Sequence, residues 1–231
     1  MAAVRVTEHV YYVENGDVRV YLIVEPEGLT LVDTGFPGTM PLIDEGVRSL
    51  GRHPEDIHDI IITHHHIDHA GDLAEILRAT NARVWMHADD ADLTRAGQAF
   101  RAYEVSPGEE NQKFWEEVIS KAPTTYEPAP VDHEVSPGEV IPVAGGILAI
   151  GTPGHTEGHV VYLWRGDGGI AFIGDLARNF GHMVPHVIYE DFALAMESLR
   201  GVGNYDFDVA CFAHGDPIVG KASEAIRDRW K

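Results

Sequence analysis

The chain has 231 residues, with 37 acidic and 17 basic side chains and a formal net charge of −20. This charge repels a phosphate backbone and argues against nucleic acid as a partner, and no apolar run is long enough to span a bilayer. A single cysteine excludes an internal disulfide framework, and residues 1–12 lack the apolar core of a secretion signal, so we expect a cytoplasmic globular protein.

Alternating apolar residues and turn signals predict short strands in the first part of the chain. Asn15-Gly16 lies between two extended runs and is a strong hairpin signal. Helical and strand patterns then follow each other. The predicted elements are strands 4–6, 10–14, 18–24 and 29–33, a helix 40–50, a strand 57–62, a helix 70–79 and a strand 83–87.

Residues 88–135 break this alternation. They contain a polar helical stretch over 89–103, a second helix over 109–121 and a proline-rich passage over 123–130. Two interpretations stay open: the helices pack on the body through their aromatic side chains, or they form a lid that supplies an apolar pocket. The aromatic residues concerned include Phe100, Tyr103, Phe114 and Trp115.

The second half repeats the style of the first. Strand runs separated by helices predict an α/β (α+β) protein with two packed sheets flanked by helices, and we treat residues 1–231 as one domain. The predicted elements are strands 139–143, 146–150, 159–164 and 170–173, a helix 189–200, a strand 209–212 and a last helix from residue 221.

Residues 63–69 read Thr-His-His-His-Ile-Asp-His between a buried strand and a helix. Their apolar flanks argue against a solvated histidine tag, because such a tag is surrounded by polar residues. Imidazole nitrogen and carboxylate oxygen are ligands of borderline metals such as zinc. We therefore predict metal ligation by His64, His66, Asp68 and His69, whereas alternation turns His65 toward packing or a supporting role.

Three later strands each end in a residue that could complete this site. His155 follows an apolar strand and a Gly/Pro turn, Asp175 follows the strand 170–173, and His214 follows the strand 209–212. An earlier strand ends in Asp33, which is either a plain turn carboxylate or a group that accepts the second N–H of a metal-bound histidine.

Taken in order, these segments resemble the signature of the metallo-β-lactamase-fold hydrolase superfamily, from Leu31-Val32-Asp33-Thr34-Gly35 to His214-Gly215. The resemblance implies a four-layer αββα sandwich of two mixed sheets, with a helical insertion over 88–135. It implies one metal on His64, His66 and His155, a second on Asp68, His69 and His214, and Asp175 as the bridge. It further implies two divalent ions, zinc first and iron or manganese as alternatives, with Asp68 and Asp175 as catalytic residues that serve a shared water.

The departures from the pattern point to a glyoxalase II-like or lactonase-like branch rather than to a true β-lactamase. The only cysteine, Cys211, lies within an apolar strand and is interpreted as a small buried hydrophobe. Arg178 stands where acyl-homoserine lactonases usually place a tyrosine. We expect Asp33, Arg178, His182, Phe100, Tyr103 and Trp115 either to support the ligands from behind, as for Asp33, or to line the substrate pocket.

Several functions remain open at this point. We rank first the hydrolysis of a small ester, thioester or lactone by a water that bridges two metals. Alternatives are a mononuclear iron persulfide dioxygenase using His64, His155 and Asp175, a phosphodiester or organophosphate hydrolase, and a metal-dependent sensor. The expected partner is a small molecule, with no nucleic acid and no membrane, and a homodimer stays open.

Overall fold

The computed structural model describes residues 2–231 and contains two large β-sheets. In the first sheet the leading four strands are antiparallel, and the remaining ones run parallel to the fourth. Its strands in spatial order are β1 (Val4–Arg5), β2 (Val10–Asn15), β3 (Val18–Glu25), β4 (Gly28–Val32), β5 (Ile57–Ile61), β6 (Arg83–His87) and β8 (His133–Val135).

The second sheet is antiparallel except for one central pair, β12 and β16, which is parallel. Its strands in spatial order are β17 (Ile218–Val219), β16 (Val209–Phe212), β12 (Ile170–Gly174), β11 (Val160–Trp164), β10 (Ile147–Gly151) and β9 (Val140–Ile141). Two small antiparallel pairs join β13 (Arg178–Asn179) to β14 (Met183–Val184) and β7 (Glu104–Val105) to β15 (Ile188–Tyr189).

Seven α-helices and two 3₁₀ turns connect the strands within the described residues. The helices are α1 (Met40–Ser49), α2 (Ile67–Ala70), α3 (Leu73–Thr80), α4 (Ala88–Ala96), α5 (Glu109–Glu117), α6 (Phe192–Val202) and α7 (Ala222–Arg229). The 3₁₀ turns are Pro54–Asp56 and Ile119–Lys121. None of the helices in residues 2–231 is both long and apolar enough to cross a membrane.

Alternation along the strands assigns each apolar side chain to one layer of the core. In β3, Leu22 packs outward with α1 and α3, whereas Tyr21 packs inward against Phe172 of the second sheet. The outer face of the second sheet packs on α6 and α7, where Leu199 and Ile226 are fully buried. The predicted four-layer αββα sandwich is therefore confirmed.

The predicted helix 70–79 begins earlier than expected and is interrupted. Ile67–Ala70 forms a first turn, and α3 starts at Leu73. The side chain of Asp72, between them, accepts hydrogen bonds from the backbone of Gly38 (2.8 Å) and Met40 (2.5 Å). This carboxylate caps α1 instead of continuing its own helix, which single-chain periodicity does not reveal.

Two other predicted helices were too long. The helix predicted over 89–103 ends at Ala96, because Gly97 takes a left-handed φ of 65° and the chain then turns away. The helix predicted over 189–200 begins only at Phe192, because Asp191 caps it by accepting from Leu194 N (2.9 Å).

The segment 88–135 is divided between the sandwich and an added layer. Its beginning, α4, packs on the first sheet, and its end, β8, pairs in parallel with β6. Between them, α5 buries none of its residues. The part outside the two sheets therefore centres on α5 and the 3₁₀ turn that follows it.

Candidate metal centre

All predicted ligands lie in four connections that each follow the carboxyl end of a strand; three are loops, and the first runs into α2, which contains Asp68 and His69. Residues 63–69 follow β5 of the first sheet, whereas His155, Asp175 and His214 follow β10, β12 and β16 of the second. The loops meet at one edge of the sandwich, so ligands far apart in sequence come together.

The first group, which we call the histidine cluster, comprises His64, His66, His155 and Asp175, all buried. His155 Nε2 lies 3.1 Å from His64 Nε2 and 3.0 Å from His66 Nδ1. Asp175 Oδ2 lies 3.5 Å from His155 Nε2 and 3.9 Å from His64 Nε2. One cation at the centre of these atoms would contact all four side chains.

The second group, the aspartate cluster, comprises Asp68, His69, His214 and the same Asp175. His214 Nε2 lies 3.2 Å from Asp68 Oδ2 and 3.3 Å from Asp175 Oδ1, and His69 Nε2 lies 3.3 Å from Asp175 Oδ2. All seven predicted ligands are thus brought together, with Asp175 common to both groups.

Several buried atoms of these groups have no hydrogen-bond partner: both carboxylate oxygens of Asp175, His69 Nε2 and His214 Nε2. Buried polar atoms are nearly always satisfied, so unpaired ones need an explanation. The donor sets, three imidazoles with one carboxylate and two imidazoles with two carboxylates, are those that zinc, iron and manganese accept. The residues present therefore fit divalent metal ions.

The histidine cluster favours neutral imidazoles. Burial, reinforced by repulsion from neighbouring imidazoles, lowers the pKa of His64 and of His66 well below its ordinary value. Burial also lowers the pKa of His155, against the opposing attraction of Asp175. A neutral imidazole is the form that binds a metal, so these ligands need no deprotonation.

The aspartate cluster behaves differently without a metal. Burial alone would lower the pKa of His69 and of His214, but attraction to Asp175 raises both well above the ordinary value. Burial alone would raise the pKa of Asp175, but the imidazoles of His186, His214 and His69 bring it well below its usual range. In the metal-free protein, protonated imidazoles therefore neutralise the bridging carboxylate.

Asp33 braces the aspartate cluster from behind. Its carboxylate accepts from His69 Nδ1 (2.8 Å) and from the backbone N–H of Thr63 (2.7 Å). Asp33 holds a left-handed φ of 62°, which is uncommon for a residue other than glycine. The contacts are those expected of a carboxylate that fixes a ligand's tautomer rather than of a plain turn residue.

Two further groups of the site have supporting contacts. His159, interpreted from sequence as structural, accepts from the backbone N–H of Asp175 through Nε2 (3.2 Å), and its Nδ1 lies 2.8 Å from Thr152 Oγ1. Burial lowers the pKa of His159 to about 4, so it is neutral. His155 Nδ1 donates to Ile188 O (3.0 Å).

Sequence reasoning missed two residues of the site. His186, in the loop after β14, is buried with its Nε2 3.1 Å from Asp175 Oδ2. Asp90 is fully buried in α4 between the ligand loops. The only signal for Asp90 is its place on the same helical face as Ala91 and Thr94, which are also buried.

A cleft of about 140 Å³ opens above both clusters. Arg178 and Phe100 line it, and Phe100 also lies against the ring of His66, with 5.0 Å between the ring centroids. Most of the wall is apolar. The apolar lining residues are Phe36, Ile67, Phe100, Phe114, Val118, Ile119, Ala122 and Ile188.

Three predicted pocket residues do not line the cleft. Tyr103 and Trp115 pack behind it, where Trp115 Nε1 donates to Tyr103 Oη (3.2 Å). His182 is exposed in the turn between β13 and β14, next to Gly181 with its φ of 83°. Cys211 is buried in β16, where burial raises the pKa of its thiol, in agreement with a packing role.

Comparisons with known proteins bear on the same residues. The family model described as the metallo-beta-lactamase superfamily matches residues 13–214. The chain is 24% identical over 217 residues to the probable metallo-hydrolase YflN of Bacillus subtilis (strain 168), covering 85% of this chain and 79% of that protein.

It is 29% identical over 163 residues to the hydroxyacylglutathione hydrolase of Rhodopseudomonas palustris (strain BisA53), covering 70% of this chain and 48% of that protein. The chain thus matches about half the length of that relative. The solved structure of the metallo-beta-lactamase SMB-1 in a complex with mercaptoacetic acid superposes with a TM-score of 0.76 at 21% identity, covering 100% of this chain and 93% of that one. At this identity the likeness concerns the fold.

Proposed function

Because the chain belongs to the metallo-beta-lactamase superfamily and is a metal-dependent hydrolase, we propose that it holds two divalent metal ions and cleaves a small ester, thioester or lactone. The observation that carries this proposal is the sharing of Asp175 between two complete ligand groups. We propose zinc as the metal, and a cytoplasmic location and a small-molecule substrate belong to the same proposal.

The chemistry follows from the arrangement of the side chains. Two divalent ions held by these ligand groups would activate a water at neutral pH and stabilise the oxyanion formed by its attack. Asp175 belongs to both groups, so its carboxylate would help to hold both ions. Asp68 has the most exposed side chain of the seven ligands, at 16%, and lines the cleft, so it is the carboxylate placed to take up a proton.

The cleft supports an acyl or ring substrate. Its walls are mainly apolar, and Arg178 is the one basic side chain other than histidine among the described lining residues. One guanidinium beside an apolar wall suits a small carbonyl compound better than an extended polyanion. The name of the hydroxyacylglutathione hydrolase relative supports a thioester as the first compound to test.

Completeness of the aspartate cluster favours the dinuclear hydrolase over a mononuclear iron oxygenase. The oxygenase would need only His64, His155 and Asp175, whereas Asp68, His69 and His214 also converge here. Of these, His69 Nε2 and His214 Nε2 are buried without a hydrogen-bond partner. The test is elemental analysis of purified protein together with turnover of a panel of thioesters, lactones, aryl esters and phosphodiesters. We expect two metals per chain and turnover of a carboxylic substrate. One metal per chain, with oxygen consumed in the presence of a persulfide, would overturn the proposal.

Metal binding should release protons at pH 7. His69 and His214 have a raised pKa in the metal-free protein, so each favours its protonated form. The attraction between these protonated imidazoles and Asp175 stabilises the metal-free fold, and this stabilisation is lost as pH rises through the raised pKa. Ligation requires neutral nitrogen, so affinity should increase with pH. Isothermal titration with Zn²⁺ in two buffers of different ionisation enthalpy measures the release. Equal heats in the two buffers would contradict the expectation.

The layer formed by α5 and its 3₁₀ turn acts, in this proposal, as a lid that contacts the substrate. Phe114 lines the cleft and is 40% exposed, so a bound acyl group would cover it. We expect Phe114→Ser to raise KM by about tenfold with little change in kcat, because apolar burial is lost without disturbing the metals. Val140→Ser, at a 63% exposed position in β9 outside the cleft, is the control. An unchanged KM would leave α5 as packing alone.

A further inference from the structure

Asp90 lies in α4, outside the connections that carry the predicted ligands, yet it contacts two of them: residues 63–69 and the loop that carries His155. It is fully buried, and its carboxylate accepts from the backbone N–H of His65 (3.2 Å), from Thr156 Oγ1 (2.6 Å) and from the backbone N–H of Gly158 (3.1 Å). His65 lies between His64 and His66, and Thr156 follows His155. One carboxylate thus ties together the two chain segments that carry the three histidines of the histidine cluster.

The close approach of the His155 loop to Asp90 depends on a glycine. A Cβ on Gly158 would lie 2.7 Å from Asp90 Cγ and 2.8 Å from Asp90 N. Such separations are well inside van der Waals contact, so a side chain at position 158 would force the loop away from α4. The chain therefore brings the two segments together at a point where only glycine fits.

Arg101, in the segment between α4 and α5, also contacts Asp90. Its guanidinium forms an ion pair with Asp90 through Nη2, and its Nε donates to Glu190 Oε1 (2.8 Å). The backbone N–H of Glu190 in turn donates to the carbonyl oxygen of His155 (3.1 Å). Asp90 is thus a charge-paired and hydrogen-bonded carboxylate, and Arg101 extends the bracing to the other side of His155.

The two clusters therefore have different main supports. Asp33 contacts His69 directly and accepts from the Thr63 backbone and hydroxyl on the side of the aspartate cluster, and it reaches the histidine cluster only through Thr63 Oγ1, which lies 3.1 Å from His64 Nδ1. Asp90 contacts the residues next to His64, His66 and His155. We infer that Asp90 is the positioning residue of the histidine cluster, and that the metal affinity of that cluster depends on Asp90 while that of the aspartate cluster depends on Asp33. The inference rests on the proposed dinuclear function.

Two matched variants test this division. In Asp90→Asn the amide keeps one acceptor oxygen, so it can no longer accept from His65, Thr156 and Arg101 together. In Asp33→Asn the amide likewise keeps one acceptor oxygen and loses the negative charge, so it is a weaker acceptor for His69. We expect Asp90→Asn to weaken metal binding in the histidine cluster by about 10- to 100-fold and to leave the aspartate cluster within about threefold, with the reverse for Asp33→Asn. Binding is measured by isothermal titration with Zn²⁺, and the occupancy of each position by anomalous diffraction at the zinc edge.

Asp59→Asn separates this role from general destabilisation. Asp59 is a buried carboxylate of β5 that accepts from Trp85 Nε1 (2.8 Å) and Arg83 Nη2 (2.8 Å) and lies outside both clusters. Its substitution should lower thermal stability but leave both metal affinities unchanged. If Asp90→Asn does not fold, Thr156→Val removes one hydrogen bond to Asp90 with little change in volume and should weaken the same position to a smaller extent.

The outcomes separate the inference from the proposed function. Equal weakening of both positions by Asp90→Asn, or a pattern like that of Asp59→Asn, overturns the inference and leaves the dinuclear hydrolase in place. If the wild-type protein binds one ion, in the histidine cluster alone, the dinuclear proposal is overturned. In that case loss of the ion in Asp90→Asn supports the inference about Asp90, and retention of the ion overturns it. A wild-type protein that binds no ion overturns both.

Discussion

Replacing Asp175 with alanine should abolish turnover and remove metal from both clusters at once. Asp175 is the only residue common to the two groups, and both of its oxygens are buried without a hydrogen-bond partner. Without the carboxylate, neither cluster keeps its full set of ligand groups, and the water that we propose to lie between two ions would lose its orientation. Metal activation contributes several kcal/mol, so kcat/KM should fall by about 10³-fold or more.

Activity and metal content of Asp175→Ala are measured on the same preparation, by turnover of the best substrate of the panel and by elemental analysis. Asp92→Ala is the matched control, because its side chain in α4 is 88% exposed and pairs only with Arg95. Retention of two metals with near-normal turnover in Asp175→Ala would refute a bridging role.

Gly154→Ala should destabilise the protein strongly although the substitution adds a single methyl group. Gly154 has a φ of 129°, a conformation that residues with a side chain rarely adopt, and a Cβ there would lie 2.5 Å from Ala195 Cα and 2.7 Å from Ala195 Cβ. Backbone strain of about 1–3 kcal/mol and overpacking of about 1–3 kcal/mol add up to a loss of roughly 2–6 kcal/mol. Because His155 is the next residue, metal binding in the histidine cluster should weaken as well.

Gly201→Ala, in the same helix that Gly154 contacts, is the control. Gly201 lies in α6, and apart from its chain neighbours and the backbone of its own helix, no atom of the described residues lies within 4 Å of the position that a Cβ would take there. Alanine should therefore be tolerated and raise stability by about 0.4–1 kcal/mol through a lower entropy of the unfolded chain. Thermal unfolding of both variants, with and without Zn²⁺, gives the comparison. If Gly154→Ala melted at the wild-type temperature, the helix α6 would have to be free to move away from the His155 loop.

The ligand residues could be predicted from the sequence because their signal is local. Residues 63–69 place histidines and an aspartate between apolar flanks, and His155, Asp175 and His214 each stand shortly after a buried strand. Strand ends that meet at one edge of a sheet bring such residues together. The order of the predicted strand runs and helices likewise indicated two packed sheets flanked by helices, since it depends only on the succession of local patterns.

The supporting residues could not be predicted in the same way, because their roles depend on contacts between distant segments. Asp90 reads as part of a polar helix, and only the packing of α4 against the ligand loops buries it. The early end of α4 depends on the Gly97 conformation, and the break before α3 depends on Asp72 capping α1. The short β13–β14 pairing that carries the turn at His182 has no periodic signal of its own, so the sequence did not indicate it.

Each cluster draws ligands from both halves of the sandwich: the loop after β5 belongs to the first sheet, and the loops after β10, β12 and β16 belong to the second. A bound cation would therefore link the two sheets to each other, in addition to its part in catalysis. An ion at about 100 times its dissociation constant contributes about 2.7 kcal/mol to the folded state, so ion loading should couple the melting of one sheet to that of the other. Removal of the metal by a chelator would weaken the interface between the two sheets, and resistance to proteolysis would increase with the concentration of metal.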